Sequence, residues 1–92
     1  MPESAKRAII QTATLDFASI SANADDEEVV TVVGVGQHAL EVVAVSAPSL
    51  EAGLVATGFV SDVDEVTVRV SNVTGSPVDP ASQDFQIAVF HG

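Results

Sequence analysis

From Glu65 to Ser71 the chain alternates without a break: Val66, Val68 and Val70 fall on one parity, Thr67, Arg69 and Ser71 on the other. Successive side chains of a strand point to opposite faces, so this segment makes a strand with one apolar and one wet face, the latter carrying Thr67 and Arg69. A second run, Gln83 to Phe90, puts Phe85, Ile87 and Val89 on one side and Gln86, Ala88 and Phe90 on the other. The two strands are expected to share a core. The rest of the chain agrees, because 27 of its 92 residues are valine, threonine or isoleucine. Their branched Cβ loses rotamer freedom in a helix and fits the pleated surface of a sheet.

Four further strands are expected at Ile9–Phe17, Val29–Val35, Leu40–Ser46 and Leu54–Val60, punctuated by Gly34, Gly36, Pro48, Gly53, Gly75, Pro77 and Pro80. Glycine and proline at such intervals mark turns and ladder ends. About six to eight short strands at this spacing predict an all-β fold, a single β-sandwich that is jelly-roll-like or immunoglobulin-like. The predicted sandwich covers 8–92. Residues 1–7, Met-Pro-Glu-Ser-Ala-Lys-Arg, have no apolar periodicity and read as an N-terminal arm.

Two segments are apolar on both parities: Val29, Val30, Val32 and Val33, and then Val42, Val43, Ala44 and Val45. A half-solvated strand has no use for a second apolar face. Either these strands lie beneath a loop, or their outer face meets another subunit or a partner, and small cores often need such association. The contact expectation falls on Val30, Val43 and Val45, on Phe90, and on Lys6 and Arg7 of the arm, which could meet an acidic neighbour. The acidic run Asp25–Glu28 reads as a solvated loop that guards the following strand against edge-to-edge aggregation.

Charge removes several function classes. Thirteen acidic residues oppose three basic ones, for a net charge of −10. Binding to nucleic acid through phosphate neutralisation needs clustered lysine and arginine, and Lys6 and Arg7 stand at one end with Arg69 far away. The longest uncharged stretches, Val29–Leu40 and Ala52–Ser61, fall short of the roughly 20 residues that span a bilayer. Lys6-Arg7-Ala8-Ile9-Ile10 only faintly imitates a leader, so the chain is expected to begin at its own N-terminus and to be made in the cytoplasm. With no cysteine, thiolate metal sites, disulfides and cysteine nucleophiles drop out.

Three motifs invite a chemical reading. Gly34-Val35-Gly36-Gln37-His38-Ala39 has the G-x-G-x-x-A spacing of a dinucleotide fingerprint, but Leu40–Ser46 prefers a strand where the pyrophosphate would need a helix N-terminus. A hairpin turn is the expected structure there. Asp62-Val63-Asp64-Glu65 spaces carboxylates as a calcium loop does, yet lacks the glycine at the sixth loop position and the acid at the twelfth. A short hairpin turn accounts for those acids too. Asn72-Val73-Thr74 is a formal glycosylation sequon. No Gly-x-Ser-x-Gly elbow supports His38 or His91, so no enzyme, cofactor, metal or small-molecule substrate is expected.

A resemblance adds to this. Leu15-Asp16-Phe17-Ala18-Ser19-Ile20, Leu50-Glu51-Ala52-Gly53-Leu54, Val60-Ser61, Val66 through Gly75 and Val78-Asp79-Pro80-Ala81-Ser82, taken in order, resemble small β-rich structural proteins of tailed bacteriophages over most of Leu15–Val89. The Asn72 to Pro80 part has a physical sense: Asn72 and Thr74 can bond local backbone, Gly75 permits a tight turn, and Pro77 and Pro80 forbid ladder pairing. The acidic run and the basic arm depart from the family pattern. The resemblance implies a non-enzymatic virion component; with the two-faced apolar strands and the acidity beside it, the expectation is a capsid decoration or cement protein on the outer capsid surface, with itself as a homotrimer and the major capsid protein as partners. The alternative it implies is a tail-fibre or receptor-binding module.

Overall fold

The computed structural model describes residues 7–91, with the backbone alone for Arg7. The arm, Lys6 included, otherwise lies outside the described residues. Six strands are present: β1 (Arg7–Leu15), β2 (Asp25–Thr31), β3 (Glu41–Ser46), β4 (Leu54–Asp62), β5 (Glu65–Asn72) and β6 (Gln83–His91). They form two three-stranded antiparallel sheets, ordered β1-β6-β3 and β2-β5-β4, packed as a β-sandwich. First pairs with last and second with fifth, and only β4 and β5 are joined as a hairpin. That nesting is obtained by wrapping one long hairpin around a core, as jelly rolls do.

The two alternating runs are the central strands of the two sheets. Val66, Val68 and Val70 on β5 and Phe85, Ile87 and Val89 on β6 are all fully buried. Each sheet therefore brings its most regular strand to the middle, where both ladders are satisfied and the inner face is covered. Phe17, in the connection from β1 to β2, closes the core by meeting Phe85 edge-to-face with 5.6 Å between ring centroids. Such geometry sets the positive ring edge of one aromatic on the negative face of the other.

The sheets close tightly where β3 lies over β4. Gly58 of β4 makes this approach possible: a Cβ there would lie 2.7 Å from Val45 Cγ2 and 2.9 Å from Val43 Cγ1. Gly58→Ala is expected to cost about 1–3 kcal/mol through overpacking against two stiff valines, read as a lowered urea midpoint with an unchanged m-value. An unchanged midpoint would mean that the two strands can move apart freely.

Several boundaries differ from expectation, and the acidic run most of all. Asp25 to Glu28 are the first residues of β2, not a solvated loop, and they pair with Ser71, Val70, Arg69 and Val68 of β5. Pairing with a strongly specified neighbour overrides the poor strand preference of acidic residues. Asp26 and Glu28 share the inward parity of buried Val30 and are half-buried at the rim, while Asp25 and Glu27 are exposed. Charges turned inward on an edge strand resist the addition of another strand, so the guarding role survives in a different place.

The glycine turn also differs. β2 and β3 belong to opposite sheets, so 32–40 is a crossing, not a hairpin. Val32 N donates to Asp64 O (2.9 Å) and Asp64 N to Val35 O (2.9 Å), which docks the crossing on the tip of the β4–β5 hairpin. Asp64, at φ 60, also accepts from Gly34 N at 2.9 Å. Gly36, at φ 83, has no room for a side chain, since a Cβ would sit 2.6 Å from Asp62 O. The Asp62–Glu65 hairpin turn is as expected, and the Asp62 and Asp64 carboxylates serve the backbone. Thr67 corrects the reading of a wet face: it is only 5% exposed, flanked in register by Val29 and Phe59.

Candidate interaction surface

The outer face of the β1-β6-β3 sheet is built in rows across its three strands. Ala8, Phe90 and Val42 form one row, Ile10, Ala88 and Ala44 the next, and Thr12, Gln86 and Ser46 the third. Ile10 is 63% exposed, Val42 55% and Phe90 49%. Among the described residues these three rows carry no ionisable group. The first acid, Asp84, belongs to a fourth row and accepts a 2.6 Å hydrogen bond from the Thr14 hydroxyl.

The outer face of the other sheet has a different character. Asp25, Glu27 and Glu65 lie on it with one cation, Arg69. Arg69 Nε donates to Glu27 Oε2 at 2.6 Å, and its guanidinium lies 5.4 Å from the centroid of Phe59. The hydrogen bond that Arg69 donates to Glu27 holds the Arg69 pKa above its ordinary value. An exposed pair of this kind contributes little to stability, but it occupies the one cation of the face. Val29, Val55 and Phe59 are also exposed on this face, so the two outer faces differ in charge and not in apolar exposure: one has three rows free of ionisable groups, the other sets acids among its apolar side chains.

The residues expected to make contacts separate on this map. Phe90 lies on the neutral outer face. Val30 is 7% exposed in the core, and Val43 and Val45 point inward against Gly58. These three are spoken for by the fold, so a charge at Val43 would break the core and not a contact. Lys6 and the Arg7 side chain lie outside the described residues; the Arg7 backbone pairs with His91. Ile10, Val42, Ala44 and Ala88 join Phe90 instead. Parity within β6 already put Phe90 and Ala88 opposite the core, but the register that carries β1 and β3 alongside them is a long-range property.

A shallow hollow of about 510 Å³ opens at the β3–β4 rim, lined by Gly36, His38, Glu41, Gly58 and Asp62 among others. Its carboxylates are committed to the backbone: Glu41 accepts from Gly36 N at 2.9 and 3.0 Å, and Asp62 from Val63 N at 2.7 Å. The His38 and His91 rings stack in parallel, 3.7 Å between centroids. Among the described residues no group of three or more His, Asp or Glu could hold a metal ion.

At the other end of the molecule, Glu51 ties the β3–β4 connection to the chain entering β6. It accepts from Ala81 N at 2.8 Å and from Gln83 Nε2 at 3.2 Å, and the Ala81 bond is the main reason its pKa lies below the ordinary value. A lowered folded-state pKa means stability that is complete above the unfolded value and lost as pH falls through the folded one. Glu51→Gln should remove that part of the acid sensitivity, so the fall in urea midpoint between neutral pH and pH of about 3 is smaller in the variant. Equal falls would show that the bond to Ala81 contributes nothing. Asn72 is buried with both ends of its amide hydrogen-bonded, a poor acceptor for a glycan.

No family model matches the chain, and no curated protein or solved structure matches it either.

Proposed function

We propose that the protein is a non-enzymatic structural component of a phage virion, an oligomeric decoration or cement protein on the outer capsid surface that stabilises contacts between capsid subunits. The observation that carries this reading is the neutral, apolar outer face of the β1-β6-β3 sheet in a chain of net charge −10. Exposed apolar area with no charge, on a domain this small, is favourable to cover and unfavourable to leave in water. The acidic β2-β5-β4 face suits the outside of a shell, because packaged DNA would repel it from within. A protein that gains contacts only on the assembled shell stabilises that shell by mass action, and needs no reaction to do so.

The test is location. In purified particles, immunogold or subunit-resolution imaging should place the chain on the shell. Density at the tail alone would replace this reading with that of a fibre or receptor-binding module, and absence from particles would overturn both.

A further inference from the structure

We infer that the neutral face of the β1-β6-β3 sheet is covered by a second copy of the same chain, the two sheets packing face to face across a two-fold axis. Charge placement selects this occupant. Pairing through the β2-β5-β4 face would bring Asp25, Glu27 and Glu65 of both copies together, with Arg69 alone in each to offset them. Pairing through the first three rows of the β1-β6-β3 face opposes only uncharged side chains among the described residues, with Asp84 left at the margin. It also stacks four sheets at about 10 Å spacing, which sends the two acidic faces to opposite outsides about 30 Å apart. That exceeds the screening length of about 8–10 Å at physiological salt, so the acids of those two faces scarcely oppose the association.

Shape agrees with charge. The Ala8-Phe90-Val42 row stands beside the row Ile10-Ala88-Ala44, whose β6 and β3 positions are shallow, about 7 Å away along the strands. In a two-fold interface each contact occurs twice, so Phe90 of one copy can enter the low ground over Ala88 and Ala44 of the other and be met in return. Sheets pack on sheets in this manner at about −30°. A closed three-fold ring would need two different surfaces to meet, so the flat self-facing sheet favours a pair over the expected trimer.

Size sets the strength. Three strands about 4.8 Å apart, over the roughly 20 Å occupied by the three neutral rows, present a projected area of about 290 Å², small beside the roughly 800 Å² per partner of a standard interface. The pair is therefore reversible and concentration-dependent. It rests on the reading that this face is covered in the working protein, but the isolated chain tests it without any particle, so the two ideas can fail separately.

The experiment is sedimentation velocity and equilibrium on the purified chain from about 1 μM to 1 mM, a range that brackets weak specific interfaces. A monomer–dimer equilibrium is expected. Val42→Glu, and independently Ala44→Glu, should weaken it at least about tenfold by placing two carboxylates at the axis. Thr57→Glu on the acidic face should leave it nearly unchanged, and circular dichroism should show all three variants folded. A monomer throughout the range, a trimer, or a dimer indifferent to both Val42→Glu and Ala44→Glu would each overturn the proposal.

Discussion

Phe85→Ala is expected to lower the stability of the sandwich by about 3–5 kcal/mol. A domain of this length has a total stability of about 5–14 kcal/mol, so the loss is about a fifth of it or more. Phe85 sits on β6, the central strand of its sheet, fully buried and in edge-to-face contact with Phe17. The truncation therefore removes transfer free energy, opens a cavity between two hydrogen-bonded sheets that cannot collapse into it, and releases the aromatic that fastens the β1–β2 connection. Urea unfolding followed by far-ultraviolet circular dichroism reads the result. Phe85→Leu should recover more than half of the lost midpoint, and a midpoint for Phe85→Ala within error of wild type would show that the core lies elsewhere.

The second large effect is at Asn72, 1% exposed at the end of β5. Its Nδ2 donates to Ile20 O at 3.0 Å and to Ser76 O at 2.9 Å, while its Oδ1 accepts from Thr74 N at 2.9 Å and Thr74 Oγ1 at 2.7 Å. One side chain thus supplies both donors and both acceptor sites to three backbone groups and a hydroxyl of the β1–β2 and β5–β6 connections. Asn72→Ala should cost about 2–3 kcal/mol. Ile20 O keeps its bond from Val78 N, and the single proton of the Thr74 hydroxyl, no longer drawn to Asn72 Oδ1, can go to Ser76 O, so the loss stops short of complete desolvation of every partner.

Asn72→Asp separates hydrogen bonding from packing. It conserves shape but turns a buried carboxylate toward two carbonyl oxygens, so it should be worse than alanine at neutral pH. Burial and the facing carbonyls raise the introduced carboxyl's pKa in the folded state, which makes stability rise as pH falls and the group takes up a proton. A variant that is equally stable at neutral and mildly acid pH would contradict the network described here.

How much of this was legible beforehand follows from which interactions are local. The faces of β5 and β6 are written in strict alternation, and Val66, Val68, Val70, Phe85, Ile87 and Val89 could be assigned to a common core with no knowledge of the neighbours. The Asn72–Thr74 bonds were legible for the same reason, being between residues two apart. Gly75 is different: the glycines at positive φ are Gly34, Gly36 and Gly53, so Gly75 is not required by its turn.

Edge strands are where local reading gave way. β2 begins four residues before the valines because β5 offers a ladder to Asp25–Glu28, a long-range reward that no propensity records. In 29–33 and 42–45 valines occupy both parities, and parity alone does not say which face is the core. Register with the central strands settles it, placing Val30, Val43 and Val45 inside and leaving Val29 and Val42 outside. The neutral face escaped notice for that reason. It is assembled from Ile10, Val42, Ala44, Ala88 and Phe90, which are far apart in sequence and adjacent only in the sheet.

The most direct test of the working surface uses the absence of cysteine from the chain. Ala44→Cys and Thr57→Cys each place one thiol on an outer face, neutral or acidic, and the rate of maleimide labelling reads how open that face is. In the assembled particle Cys at 44 should react at least about tenfold more slowly than in the dilute chain, while Cys at 57 keeps its rate, because covering a face excludes water and reagent together. Equal protection at both positions, or none at 44, would contradict an account in which the neutral sheet face is the surface this protein works through.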